Sequence, residues 1–295
     1  KMGRKMERKK LKKKGIGSAC AILSATLFGF NAYCATNAYA GGSNPIAFTF
    51  YASVICIVLT ILIACVCHIR IIPKKEECGW LILIGTLGGV TTLLLFTAFT
   101  YIASGIATIL HFTYPVYVAI GSVWLLNKKM TKGKTIALVL SVLGVVFISD
   151  LTGILLALLS GLTYAGYVIF LEKTHFDREN CLFICFNMTL VRLVLTFVYG
   201  VLGRQIFVTQ TAAAWGYTAI QASLSLLLAT MLFQIGVKYI GGMVASVFSM
   251  FEPLTCLIVG VLFLGENINY VKIAGCVLIC LGILVVIYDE FKEES

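Results

Sequence analysis

Tyr101–Val116 reads YIASGIATILHFTYPV, and 138 residues later Tyr239–Leu254 reads YIGGMVASVFSMFEPL. Continued without a gap, this register pairs Tyr101–Ile148 with Tyr239–Val286, and twelve of the 48 pairs are identical. Apolar composition alone raises such a score, so the gap-free register and the matched Pro115 and Pro253 carry the argument. A proline inside an apolar run removes one N–H and clashes with the carbonyl four residues earlier. Two prolines at equivalent positions therefore indicate a duplicated chain whose copies break the same helix. Leu23–Phe28, LSATLF, and Leu159–Tyr164, LSGLTY, extend the likeness upstream to the start of each copy.

The surroundings of these segments are hydrocarbon. Of 295 residues, 60% are hydrophobic and 12% charged, with a mean hydropathy of +0.98, whereas soluble domains carry about 25% charge. Helices that cross a ~30 Å hydrocarbon core need about 20 apolar residues. The chain offers Gly15–Ala40, Pro45–Cys67, Cys78–Ile102, Gly105–Leu126, Thr135–Ser149, Leu151–Leu171, Cys181–Leu202, Ala212–Val237, Gly242–Leu264 and Tyr270–Tyr288. Only Asp150 interrupts Thr135–Leu171, but one straight helix there would be roughly 55 Å long, so two helices must turn at Asp150.

The expected fold is an all-α integral membrane protein with ten transmembrane helices in two five-helix repeats, 15–149 and 150–288. A basic tail, 1–14, precedes them, and a short tail, 289–295, follows. Because five is odd, the second copy enters from the opposite face, giving inverted-topology repeats of the kind found in secondary transporters.

Charge tests the count, since Lys and Arg concentrate in cytoplasmic loops. With the N-terminus inside, 20 of the 23 basic residues fall on the cytoplasmic side, Arg204 and Lys272 fall outside, and Arg192 lies within a span. Both termini are expected in the cytoplasm of a plasma-membrane protein. The nine basic residues before Gly15 predict contact with anionic lipid rather than nucleic acid. Gly15–Ala40 is too long for the ~7–15-residue apolar core of a cleaved signal. The eleven cysteines lie mostly in apolar runs with no histidine at ligand spacing, so they read as small hydrophobes and no metal or cofactor is expected.

With its five-plus-five plan, the Glu252-Pro253 and Tyr114-Pro115 pairs, and glycine-containing last spans (SVLGVVF, ICLGILV), the chain resembles the EamA-type members of the drug/metabolite transporter superfamily. The resemblance covers essentially everything after the basic tail. It implies a central cavity lined by helices of both halves, excluding the last of each. Leu27–Tyr33, LFGFNAY, stands where such proteins often carry a tryptophan before a small residue, and a cavity role for Asn31 follows from that likeness.

Among candidate residues, Glu252 is the sharpest. A charge within a span costs about 2.5–3.5 kcal/mol on insertion scales and needs a partner, a proton or a function. Arg192 is the matching cation, and a structural ion pair between the two is the plain alternative to a functional role. Arg192 shares a helical face with Cys185, Met188, Thr189, Thr196 and Tyr199, a stripe that suits a cavity wall or a packing face. Proline leaves the carbonyls of His111 and Ser249 without helical donors, and both positions carry polar side chains. His111 is a candidate proton relay or a hydrogen-bonded neutral core group. Asn31 and Tyr33 in the first span and Tyr164 and Tyr167 in the sixth suit amphipathic or cationic solutes, as Tyr114 does beside its proline. Gly85–Gly89, GTLGG, reads as close helix packing.

The expected function is a secondary transporter that moves a small metabolite or organic cation by alternating access, with proton exchange as a coupling mode. Pro115 and Pro253 would be its hinges. The rivals are an intramembrane enzyme using His111 and Glu252 on a lipid-linked substrate, and a membrane sensor or scaffold. No H-E-x-x-H, Walker A or G-x-S-x-G pattern appears.

Overall fold

The computed structural model describes residues 2–126, 151–174, 180–206, 209–249 and 251–265, with positions 277 and 281. The helices are α1 (Met2–Phe28), α2 (Asn31–Ala40), α3 (Pro45–Cys67), α4 (Lys75–Ala98), α5 (Ser104–His111), α6 (Tyr114–Leu126), α7 (Leu151–Lys173), α8 (Cys181–Leu202), α9 (Ala212–Ile220), α10 (Thr230–Ile240), α11 (Gly242–Phe248) and α12 (Phe251–Leu264). A π-helical segment, Gln221–Ala229, joins α9 to α10. Among the described residues, seven spans are long and apolar enough to cross a membrane. An eighth, Ser104–Leu126, reaches that length only when α5 and α6 are taken together. The expected fifth and tenth spans, Thr135–Ser149 and Tyr270–Tyr288, lie outside the described residues.

Small residues are buried at helix contacts alongside large ones such as Phe48, Phe112 and Phe183, and many large apolar side chains are exposed on the outside. Ala21, Ala25, Ala35, Ala38, Ala47 and Ser53 are fully buried, while Leu62, Val66, Leu202 and Leu262 are exposed. Small residues inside let backbones approach, and large apolar ones face outward to lipid. Local chemistry fixes the ends. Asn44 caps α3 by accepting from the N–H groups of Ile46 and Ala47, with Pro45 in the first turn where its missing donor costs nothing. Glu77 accepts from the Lys74 N–H at 2.7 Å and pairs with Arg70 at 2.9 Å at the start of α4.

The contacts come in pairs that a two-fold axis would generate. α4, the third span, packs on α7, the sixth; α10 and the π segment, the eighth span, pack on α1, the first. α3 and α8, the second and seventh, pack on each other. The GTLGG reading holds here: a Cβ on Gly85 would lie 2.8 Å from Val191, and one on Gly89 would lie 3.4 Å from the Arg192 Cα.

Four spans depart from a straight α-helix. The expected breaks in the fourth and ninth are present, where one helix ends at His111 and the next begins at Tyr114, and where one ends at Phe248 and the next begins at Phe251, each close to its proline. The first span, expected as one helix over Gly15–Ala40, instead continues from Met2 and breaks at Gly29–Phe30. Gly29 lies at the break, where a Cβ would collide with the Thr255 side chain and lie 3.0 Å from the Glu252 carbonyl oxygen, so glycine permits this close approach of the ninth span. The eighth span is the remaining correction, since its centre is π-helical. Side chains satisfy carbonyls along that segment: Ser24 donates to Ala229 at 2.7 Å, Cys185 to Leu226 at 3.2 Å and Thr230 to Ser225 at 3.1 Å. Such π turns concentrate at functional sites.

Candidate functional site

The four irregular spans surround one cavity. Phe28 and Asn31 flank the break between α1 and α2, His111 ends α5, Gln221 and Ser225 lie on the π segment, and Glu252 opens α12. The remaining wall includes Thr91 and Thr92 of α4, Tyr164 and Tyr167 of α7, Met188 and Arg192 of α8, and Thr230 and Phe233 of α10. About 80 Å³ of this space is open to the centres of water molecules. One water needs roughly 10–15 Å³ by that measure, so the cavity holds several waters or one small solute. Irregular backbone within a span is tolerated where it is buried in protein or lines a wet cavity, and both conditions are met here.

The duplication passes through the cavity. Thr92 and Thr230 are 138 residues apart, the offset of the paired prolines, and both line the wall. Phe28/Tyr164 and Asn31/Tyr167 match at the 136-residue offset of the LSATLF and LSGLTY segments, and all four residues line it too. The cavity thus lies where the two halves meet. Asn31 accepts a short hydrogen bond from Ser225, which ties the first span to the eighth.

Glu252 is 9% exposed and stands in the first turn of α12. Arg192, 7% exposed, lies on the same cavity. The alternative of a structural ion pair is not met: among the described residues the recorded pair is Arg70–Glu77, and no Glu252 oxygen lies within 4.0 Å of the Arg192 guanidinium. Nε and Nη1 of Arg192 are buried without a hydrogen-bond partner. Gly88 packs beside it, where a Cβ would lie 3.1 Å from the Met188 methyl.

His111 lines the cavity, and its Nδ1 lies 2.8 Å from the Ser160 hydroxyl. Its ring packs on Tyr164 at 5.3 Å and Tyr114 at 5.5 Å, and Tyr164 continues the stack to Tyr167 and Phe233. Three expected site residues stand back from the wall. Tyr33 packs edge-on against Tyr217 and Phe263. Tyr114 is buried behind the stack, its hydroxyl donating to the Ser246 carbonyl at 3.3 Å. Ser249 turns its hydroxyl back to the Ala245 carbonyl at 3.0 Å. Nor is the Ser249 carbonyl bare, because the Glu252 N–H closes on it at 2.9 Å in a tightened turn. The His111 carbonyl packs against Gly161 of α7, where a Cβ would lie 2.7 Å from its oxygen.

The residues that sequence reasoning passed over are Thr92, Gln221, Ser225 and Thr230. A signal existed in the sequence, because Gln221 and Ser225 lie four apart on one helical face and the proline offset maps Thr92 onto Thr230.

Comparison with known proteins follows from this geometry. The profile described as "EamA-like transporter family" matches twice, at residues 15–150 and 151–288. A Bacillus subtilis (strain 168) protein, "Uncharacterized transporter YcbK", is 26% identical over 134 residues, which span 44% of this chain and 43% of that protein. A solved structure described as "Crystal structure of protein" is 16% identical with a TM-score of 0.69, covering 95% of this chain and 99% of that one, which establishes the shared fold. The chain is a multi-pass membrane protein that belongs to the EamA-like transporter family, whose model matches it twice in tandem.

Proposed function

We propose that the chain is a secondary transporter that carries a small metabolite or organic cation by alternating access, with Glu252 as the carboxylate that couples solute movement to proton exchange. The observation that carries this reading is the cavity itself, enclosed by irregular spans from both repeats and lined by residues matched through the duplication. Two similar halves set in opposite senses can rock about such a cavity and expose it to each side in turn. The repeats would be 15–149 and 150–288, hinged near Pro115 and Pro253, with both termini in the cytoplasm of a plasma-membrane protein and the basic tail resting on anionic lipid. A carboxylate suits coupling because its proton affinity follows the hydration of its surroundings.

The test is flux in proteoliposomes across a panel of amino acids, nucleosides and organic cations, with and without a pH gradient. We expect at least one solute to accumulate chemically unchanged and faster under the gradient. A covalently altered product would return the enzyme reading, and binding with no flux under any gradient would favour a sensor.

A further inference from the structure

We propose that Arg192 forms a carboxylate-binding subsite in the cavity, so that the transported solute carries a carboxylate. This deepens the transporter reading and rests on it.

Arginine stays protonated in proteins, so a buried guanidinium cannot shed its charge and needs an anion or a full set of acceptors. Arg192 has neither among the described residues. Nε and Nη1 are buried and unpartnered, and Glu252 is not within pairing distance. The ionisable side chains that bear on it are Cys56, Cys185 and Tyr167, none of them a carboxylate. Gly88 and Gly89 of α4 let that helix pack closely on Met188 and on the Arg192 backbone, and no side chain of the described residues bonds Nε or Nη1.

Two further polar atoms of the same wall are also buried without partners, the Tyr167 hydroxyl and Oε1 of Gln221. Unpaired buried polar groups are rare in native proteins and mark sites completed by something absent. The planar fork of Arg192 matches the two oxygens of a carboxylate, and the Tyr167 hydroxyl is a further donor for it. A doubly charged phosphate fits less well, since one cation would leave net negative charge in a cavity that also holds Glu252. The aromatic wall of Phe28, Tyr164 and Phe233 favours an organic anion over a bare inorganic one.

The test is counterflow in proteoliposomes of the full chain, using a matched panel of small carboxylates, their α-amino derivatives, their methylamides and the corresponding amines. The expected result is movement of a carboxylate but not of its methylamide. Arg192→Gln should lower that flux at subsaturating concentration by about 10- to 100-fold, the weight of a charge-assisted hydrogen bond. Arg192→Lys should fall between, keeping the charge and losing the fork. Preference for the α-amino derivative over the simple acid would show that Glu252 also takes an ammonium group. Where Arg192→Gln is not recovered monodisperse, phenylglyoxal modification of wild-type Arg192, read by mass spectrometry, should be slowed by the transported carboxylate and not by its methylamide. The inference is overturned if only amines or neutral solutes move, if Arg192→Gln moves the carboxylate at the wild-type rate, or if the double variant with Glu252→Gln restores transport, which would make Arg192 a counter-charge. Absence of flux for any solute in the wild type would instead overturn the transporter reading itself.

Discussion

Glu252→Gln should remove gradient-driven accumulation while leaving the protein folded. The substitution keeps the shape and one acceptor oxygen but can neither carry nor release a proton. The side chain sits in the first turn of α12 on the cavity wall, with no basic partner within 4.0 Å among the described residues. Its replacement therefore strands no buried counter-charge, and the detergent-solubilised variant should melt within about 2 °C of wild type, since shifts of about 1 kcal/mol move a chain of this size by only a few degrees. Uptake driven by a pH gradient should fall about 100-fold or more, the scale on which a group essential to one step is felt, and residual exchange should lose its pH dependence. The comparison is initial uptake rate against external pH for both proteins. Normal accumulation by Glu252→Gln at every pH would remove Glu252 from the coupling role while leaving the architecture in place.

The second large effect is structural. Gly161→Val should abolish or severely reduce recovery of folded protein. A Cβ at this position would meet the His111 carbonyl oxygen at 2.7 Å and the Thr113 hydroxyl at 3.3 Å. The first contact is backbone at the break between α5 and α6 and cannot swing aside as a side-chain tip would. Overpacking of this kind costs about 1–3 kcal/mol or more, equivalent to a fall of about 5–10 °C in Tm for whatever fraction folds. Gly79→Val is the control, because nothing lies within 4 Å of a Cβ there. A Gly161→Val protein as stable as that control would mean that α7 does not press on the break.

The break ahead of Pro115 and its equivalent ahead of Pro253 were legible because proline is a chemical mark with one backbone consequence. The 138-residue offset then turned two local signals into one architectural statement. Gly29 and the π segment were not legible. The need for glycine at Gly29 comes from Thr255 and the Glu252 carbonyl, contacts between spans more than 220 residues apart that no local window contains. The π segment is held by donors from Ser24 and Cys185, again from distant helices. Cavity residues sorted in the same way. Glu252, Arg192, His111, Asn31, Tyr164 and Tyr167 stood out as costly or amphipathic groups inside spans, and all six line the wall. Tyr33, Tyr114 and Ser249 drew notice for the same reason but spend their polar tips or ring faces on packing. Thr92, Ser225 and Thr230 escaped notice because hydroxyls commonly bond back to their own helix, as Thr92 does to Gly88 at 2.9 Å.

The central claim is that one cavity between the repeats opens to each side of the membrane in turn. A single cysteine at Thr92, on a cysteine-free background in sealed vesicles, tests it most directly with a membrane-impermeant thiol reagent applied to one face at a time. Labelling from either face, with transported solute changing the two rates in opposite directions, is the predicted result. Labelling confined to one face with and without solute and gradient would contradict it.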